Sequence, residues 1–179
     1  MGEPTVLVLA SGRGERFIAS GGAGSKLQAL LAGKPVLERT LDAVRASGLP
    51  WHLEDAGHAG MGDSIAAAVA ATRGAWGWLV LPGDLPLIRP DTLLKVAAAL
   101  QDHVVVLPVY GGQRGHPVGF GVECRDALMG LSGAEGAARI VRAYQGMHVA
   151  YDLQLDDPGV VTDIDTVQDL REAERRFSA

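Results

Sequence analysis

Residues 6–26, VLVLASGRGERFIASGGAGSK, decide the fold. A short apolar run, Val6 to Ala10, stops abruptly at Ser11-Gly12-Arg13-Gly14-Glu15-Arg16, and Lys26 follows a second glycine-rich stretch. Such a run reads as a strand buried on both faces, the kind found in parallel sheets. The turn after it offers uncrowded glycine N–H groups, the guanidinium groups of Arg13 and Arg16, and the Lys26 ammonium. That is chemistry for holding several phosphates. Two better-known phosphate loops fit badly. A Walker loop needs G-x-x-x-x-G-K-[ST], and here Lys26 follows Ser25 and precedes Leu27. A dinucleotide loop needs G-x-G-x-x-G, and Phe17 stands where its third glycine belongs. The plainer alternative is an ordinary strand-to-helix connection with solvated arginines.

Outward from this stretch, strand-like and helix-like segments alternate. The pattern predicts strands at Thr5–Ala10, Trp51–Leu53, Gly77–Leu81, Val104–Val109, Pro117–Gly121 and 147–151. It predicts helices at Pro35–Ser47, Asp63–Thr72, Pro90–Leu100, 123–130, 134–144 and 166–177. On Pro35–Ser47 the face Val36, Leu37, Thr40, Leu41 and Val44 is apolar enough to bury. Alternation of this kind predicts an α/β fold, a mainly parallel Rossmann-like sheet with helices on both faces, formed by residues 1–179 as a single domain. Ligands then sit beyond the carboxyl ends of the strands. The loops to read are those after Ala10, Leu81 and Val109.

The chain of 179 residues is 47% hydrophobic, enough to bury a substantial core, and only 5% aromatic. Its net charge of −5 argues against a nucleic-acid coat or a membrane-surface protein. Positive charge for an anionic substrate must therefore be local. Cys124 is the single cysteine, so neither an internal disulfide nor a cysteine zinc cluster forms. The start MGEPT lacks a basic n-region, and no apolar stretch is long enough to span a membrane. The cytoplasm is the expected location.

Four further segments carry chemistry. In Pro82-Gly83-Asp84-Leu85-Pro86, an aspartate at a strand's carboxyl end faces the crevice and suits Mg²⁺; an ordinary aspartate turn is the alternative. In Asp163-Ile164-Asp165-Thr166, either aspartate would supply a second carboxylate, or Asp165 or Thr166 simply caps the last helix. Gly60-Met61-Gly62-Asp63-Ser64 would read a base edge with free N–H groups, unless Asp63 or Ser64 is a plain cap. In Gly111-Gly112-Gln113-Arg114-Gly115-His116-Pro117, Arg114 would clamp a phosphate and His116 would hydrogen-bond a polar substrate; an exposed hairpin tip is the alternative.

Taken in order, these segments resemble the molybdenum cofactor nucleotidyltransferase family, the cytidylyltransferase and MobA-like NTP transferase group. The family pattern L-A-x-G-x-x-x-R-F, then Lys, matches Leu9–Phe17 and Lys26. G-M-G-x-S matches Gly60–Ser64, G-D-x-P matches Gly83–Pro86, R-G-H-P matches Arg114–Pro117, and D-I-D-T matches Asp163–Thr166. The resemblance implies the nucleotide-diphospho-sugar transferase type of Rossmann-like fold. It also implies transfer of a nucleoside monophosphate from an NTP to a phosphorylated acceptor. Leu9, Ala10, Ser11, Gly12, Arg13, Gly14 and Lys26 would bind the nucleotide, with Gly60, Met61, Gly62 and Ser64 at its base. Asp84 and Asp165 would hold Mg²⁺, and Lys26, Arg16 and Asp84 would act on the reacting phosphates. Arg114, Gly115, His116 and Pro117 would face the acceptor, a pterin carrying a terminal phosphate in the molybdopterin case. A molybdoenzyme or cofactor-insertion protein is the implied partner. The form of the base loop points to CTP. GTP, a sugar-phosphate or other small-phosphate acceptor, and a non-catalytic nucleotide- or cofactor-binding protein are the alternatives. Ser11 in place of a second alanine, and the short segment between Leu49 and Gly60, depart from the family pattern.

Overall fold

Strand β1 (Thr5–Leu9) is buried along its whole length, and its side chains alternate between two cores. Val6 and Val8 point to one face of the sheet, Leu7 and Leu9 to the other, as the two-residue period of a strand requires. The computed structural model describes residues 2–12 and 14–178. After β1 come α1 (Glu15–Ala19), a small hairpin of β2 (Leu30–Leu31) and β3 (Lys34–Pro35), α2 (Val36–Ser47) and β4 (Trp51–Glu54). Then follow α3 (Met61–Ala71), β5 (Gly77–Pro82), α4 (Pro90–Ala99), β6 (Val105–Tyr110), β7 (Gln113–Arg114) and β8 (Val118–Gly121). The chain continues through α5 (Arg125–Met129), α6 (Ala138–Gly146), β9 (Ala150–Gln154) and α7 (Val167–Phe177).

The main sheet has seven strands in the order β4-β1-β5-β8-β6-β7, with β9 also paired to β6. β1 runs parallel to β4 and β5, and β9 parallel to β6, while β8 is antiparallel to both its neighbours. The result is the mixed, mostly parallel sheet of a Rossmann-like α/β fold. Leu41 and Val44 of α2, Leu93 and Val96 of α4, and Ala173 of α7 cover one face. Ile65 and Val69 of α3, Leu128 of α5 and Ile140 of α6 cover the other. All five apolar-face positions expected on α2 are buried, and Gly48, with φ 75°, ends that helix.

Several boundaries differ from the sequence pattern for local reasons. The strand expected at 147–151 begins at Ala150, because His148 takes φ 57° and the chain turns there. The helix expected from 134 begins at Ala138, after Gly136 turns with φ 64°. The segment 123–130 splits into a 3-10 turn at Val122–Cys124 and the short α5. α1, the β2–β3 hairpin and β7 are too short to leave a periodic signal. Among the described residues no helix is long and apolar enough to cross a membrane.

Asp157 fastens the C-terminal third to the start of α4. Its carboxylate is almost fully buried and accepts hydrogen bonds from Thr92 Oγ1 at 2.6 Å, the Arg89 N–H at 3.1 Å and the Gly159 N–H at 2.8 Å. Removing it strands two buried donors and one part-buried one. Asp157→Ala is expected to cost about 3 kcal/mol of stability, measured by urea denaturation, with Asp157→Asn costing less. A loss under about 1 kcal/mol in the alanine variant would contradict this role.

Candidate active site

The carboxyl ends of β4, β1 and β5 lie side by side because these strands are adjacent and parallel. The turn after β5 is pinned from three directions. The Gly83 N–H donates to Leu9 O at 2.8 Å, Thr40 Oγ1 of α2 donates to Gly83 O at 2.8 Å, and the Ile164 N–H donates to Asp84 O at 2.9 Å. The last of these bonds brings the C-terminal segment against the turn. Thr166 caps α7 in a capping box with Asp169, which also accepts from the Asp165 N–H at 3.0 Å. Thr166 therefore does the capping, and the Asp165 side chain is left to face the crevice.

Lys26 joins the two carboxylates. Its Nζ lies 2.7 Å from Asp84 Oδ2 and 3.3 Å from Asp165 Oδ1, and Arg16 pairs with the other oxygen of Asp165. Asp163 makes no bond to Lys26 and is exposed. Burial alone would lower the Lys26 pKa. The adjoining Asp84 and Asp165 carboxylates outweigh it and hold the ammonium above its ordinary value. Two carboxylates converging on one cation offer the hard oxygen donors that suit Mg²⁺. That ion is commonly held by one or two carboxylates together with waters and substrate phosphates. Among the described residues no group of three or more His, Cys, Asp or Glu forms a ready-made metal cage, and a site of this type needs none.

A cavity of about 210 Å³ opens beside this cluster. Of the predicted nucleotide-binding residues, Leu9, Ser11, Gly12, Lys26, Gly60, Met61, Ser64 and Asp84 line it; Ala10, Gly14 and Gly62 do not. Arg13 lies outside the described residues. Gly14 instead abuts Lys26: a Cβ on it would sit 3.5 Å from Lys26 Cγ. The Gly60–Ser64 loop is held tightly by residues 132–134. The Gly62 N–H donates to Gly133 O at 2.8 Å, and a Cβ on Gly60 would come within 2.3 Å of Gly133 O. Close backbone approach therefore requires glycine at position 60. Neither Asp63 nor Ser64 caps α3. Asp63 accepts from the Gly133 N–H at 3.2 Å, and Ser64 donates back to Gly60 O at 3.3 Å. Ser11 donates to Ala56 O at 3.0 Å and Glu54 O at 3.3 Å, tying the first loop to the loop after β4.

A second cavity, of about 320 Å³, shares Met61 and Pro82 with the first. Arg114, Gly115 and His116 line it over an apolar floor that includes Val80, Leu107 and Phe120; Pro117 is buried beside them. Arg114 is already engaged, its Nε and Nη2 each 3.1 Å from the Asp152 carboxylate. Gly115 is a packing requirement, since a Cβ would come within 2.0 Å of Val160 O. Burial lowers the His116 pKa and outweighs the negative charge of Asp84 and Asp163, so its ring is neutral at physiological pH.

Sequence reading overlooked Thr40 as a brace for the Asp84 turn, and it overlooked Glu54 and His58 altogether. His58 lines the first cavity, and its Nε2 lies 2.9 Å from Glu54 Oε1. The available signal was a strand ending in a carboxylate with histidines two residues before and four after it.

Known proteins similar to this chain show its family and its fold. Over 150 residues the chain is 30% identical to the bifunctional protein GlmU of Acaryochloris marina (strain MBIC 11017), a match covering 70% of this chain and 32% of the relative. The chain thus spans about a third of the length of such curated relatives. The crystal structure of Rv0371c from Mycobacterium tuberculosis H37Rv superimposes with a TM-score of 0.81 at 24% identity, covering 97% of this chain and 98% of that one. The structure of its complex with manganese aligns at 0.76 and 22%, with the same coverage. Molybdopterin-guanine dinucleotide biosynthesis protein A from Archaeoglobus fulgidus aligns at 0.64 and 18%, covering 97% and 98% of the two chains. At these identities the solved structures show a shared fold. The model of the MobA-like NTP transferase domain matches residues 6–149, most of the chain, and this protein belongs to that family.

Proposed function

We propose that this chain transfers a nucleoside monophosphate from an NTP, CTP by preference, to a phosphorylated small-molecule acceptor, releasing pyrophosphate. The acceptor we favour is molybdopterin, a pterin with a terminal phosphate. The observation that carries this reading is the convergence of Lys26, Asp84 and Asp165 at one end of a cavity whose other end is the Gly60–Ser64 loop. The family supports the reaction class, and the name of the Archaeoglobus relative supports a pterin product.

The chemistry asks little covalent work of the protein. An acceptor phosphate oxygen forms a new bond to the α-phosphorus while the bond to the β-phosphate oxygen breaks, and pyrophosphate leaves with the electron pair. An ionised phosphate is a competent nucleophile near neutral pH, so no general base is required. This chain's residues contribute positioning and charge. Lys26 and Arg16 would bind phosphate oxygens, and Gly12 would let backbone approach them. Asp84 and Asp165 would hold Mg²⁺, which supplies charge neutralisation to the phosphates when bound; the manganese complex of Rv0371c is in keeping with a divalent cation. The second cavity would seat the acceptor, and the neutral His116 would offer it a hydrogen bond.

Three outcomes test this. Lys26→Ala is expected to lower kcat/KM by roughly 100-fold or more in a folded protein, because phosphate contacts in a dry site contribute several kcal/mol; near-normal turnover would remove its role. Asp165→Asn is expected to raise the Mg²⁺ concentration for half-maximal rate by roughly tenfold or more, and an unchanged requirement would remove Asp165 from the metal site. Pyrophosphate release measured with molybdopterin, Mg²⁺ and each NTP is expected to favour CTP over GTP by roughly tenfold to a hundredfold. Faster turnover with GTP would assign the guanylyl reaction, and no turnover with any NTP would point to a binding protein.

A further inference from the structure

The first cavity has chemically different ends. β1 lies between β4 and β5, so Asp84, after β5, and His58, after β4, flank it from opposite sides. Among the described residues Lys26 is the single lysine or arginine on the wall, and it is bonded to Asp84. Phosphate charge belongs at that end. The β4 end, with His58, Gly60 and Met61, offers hydrogen-bonding groups and an apolar surface, which suit a base.

His58 is not loose. Its Nε2 lies 2.9 Å from Glu54 Oε1, while His52 Nε2 lies 3.1 Å from Glu54 Oε2. His52 and Glu54 share a face of β4 through its two-residue period. The Glu54 side chain is only 10% exposed. Burial pushes its pKa up, but the bonds from His58 and His52 outweigh this and hold the carboxyl below its ordinary value, so it is ionised near neutral pH. An ionised carboxylate only accepts hydrogen bonds. The His58 nitrogen facing it therefore carries the proton, and in the neutral ring Nδ1 is left as an acceptor. Among the described residues Nδ1 has no protein hydrogen-bond partner.

We infer that His58 is a specificity-determining residue for the nucleotide, its Nδ1 accepting a hydrogen bond from an exocyclic amine of the base, with Glu54 as the positioning residue that fixes its tautomer. The inference rests on the nucleotidyltransferase reading and deepens it. Cytosine carries an amine at C4, where uracil carries a carbonyl oxygen. Against UTP two acceptors meet and neither is satisfied. The pair CTP and UTP, equal in size and charge, isolates this contact.

The test is isothermal titration of the full chain with Mg²⁺ and CTP, UTP or the triphosphate of pyrimidin-2-one riboside, which lacks the C4 amine. The wild-type protein is expected to bind CTP roughly tenfold more tightly than either of the others. His58→Ala is expected to bring the CTP-to-UTP ratio within about twofold, and Glu54→Gln to narrow it. Both variants are expected to leave inorganic pyrophosphate affinity unchanged, which a merely structural defect would not. Equal wild-type binding of CTP and the amine-free analogue would overturn the inference without needing any variant. A ratio that survives in His58→Ala would overturn it alone and leave the nucleotidyltransferase reading standing. Absence of binding to every NTP would overturn both.

Discussion

The Lys26 ammonium, held between Asp84 and Asp165, is the interaction on which the site depends. It reaches residues 58 and 139 positions away in sequence, joining the segment between α1 and β2, the exit of β5 and the entrance to α7. Two carboxylates brought this close need positive charge, since uncompensated like charges in a half-buried place would drive one to take up a proton. Lys26 supplies that charge at a side-chain exposure of only 13%. Arg16 adds to it from solvent, with a side chain 80% exposed. An exposed pair of this kind contributes little stability; what it adds is positive charge beside Asp165.

The scaffold's contribution is rigidity behind this cluster. The Asp84 turn is fixed by β1, by α2 and by the C-terminal segment through three hydrogen bonds of 2.8–2.9 Å. Thr40 illustrates the economy of the arrangement. It sits on the buried face of an amphipathic helix, yet its hydroxyl is the brace for the Asp84 turn. Under the proposed function, the two cavities that share Met61 and Pro82 would divide the labour, the triphosphate beside Lys26 and the acceptor over the apolar floor near His116.

Much of this was legible in the sequence. Central strands announce themselves as continuous apolar runs because both their faces are buried, and Val6–Leu9 and Trp78–Leu81 follow that rule. The Asp84 and Asp165 motifs stand at strand and helix ends, where local composition marks a turn or a cap. Less legible were features set by tertiary contact. Gly60 and Gly62 read as base-contacting glycines, but Gly60 is also required by close packing on Gly133. Arg114 read as a free phosphate clamp, but β9 brings Asp152 beside it, a pairing no local pattern contains. Glu54 and His58 were invisible because a carboxylate ending a short edge strand looks like any exposed polar residue until its two histidine partners are seen.

The central claim is that the α-phosphorus of a nucleotide is attacked beside Lys26. The most direct measurement follows radiolabel from CTP carrying ³²P at either the α or the γ position, incubated with Mg²⁺, molybdopterin and the protein. The account predicts α-label in a product that contains the acceptor and γ-label in pyrophosphate alone. Transfer of γ-label to the acceptor, or its release as orthophosphate with no α-labelled product, would contradict it.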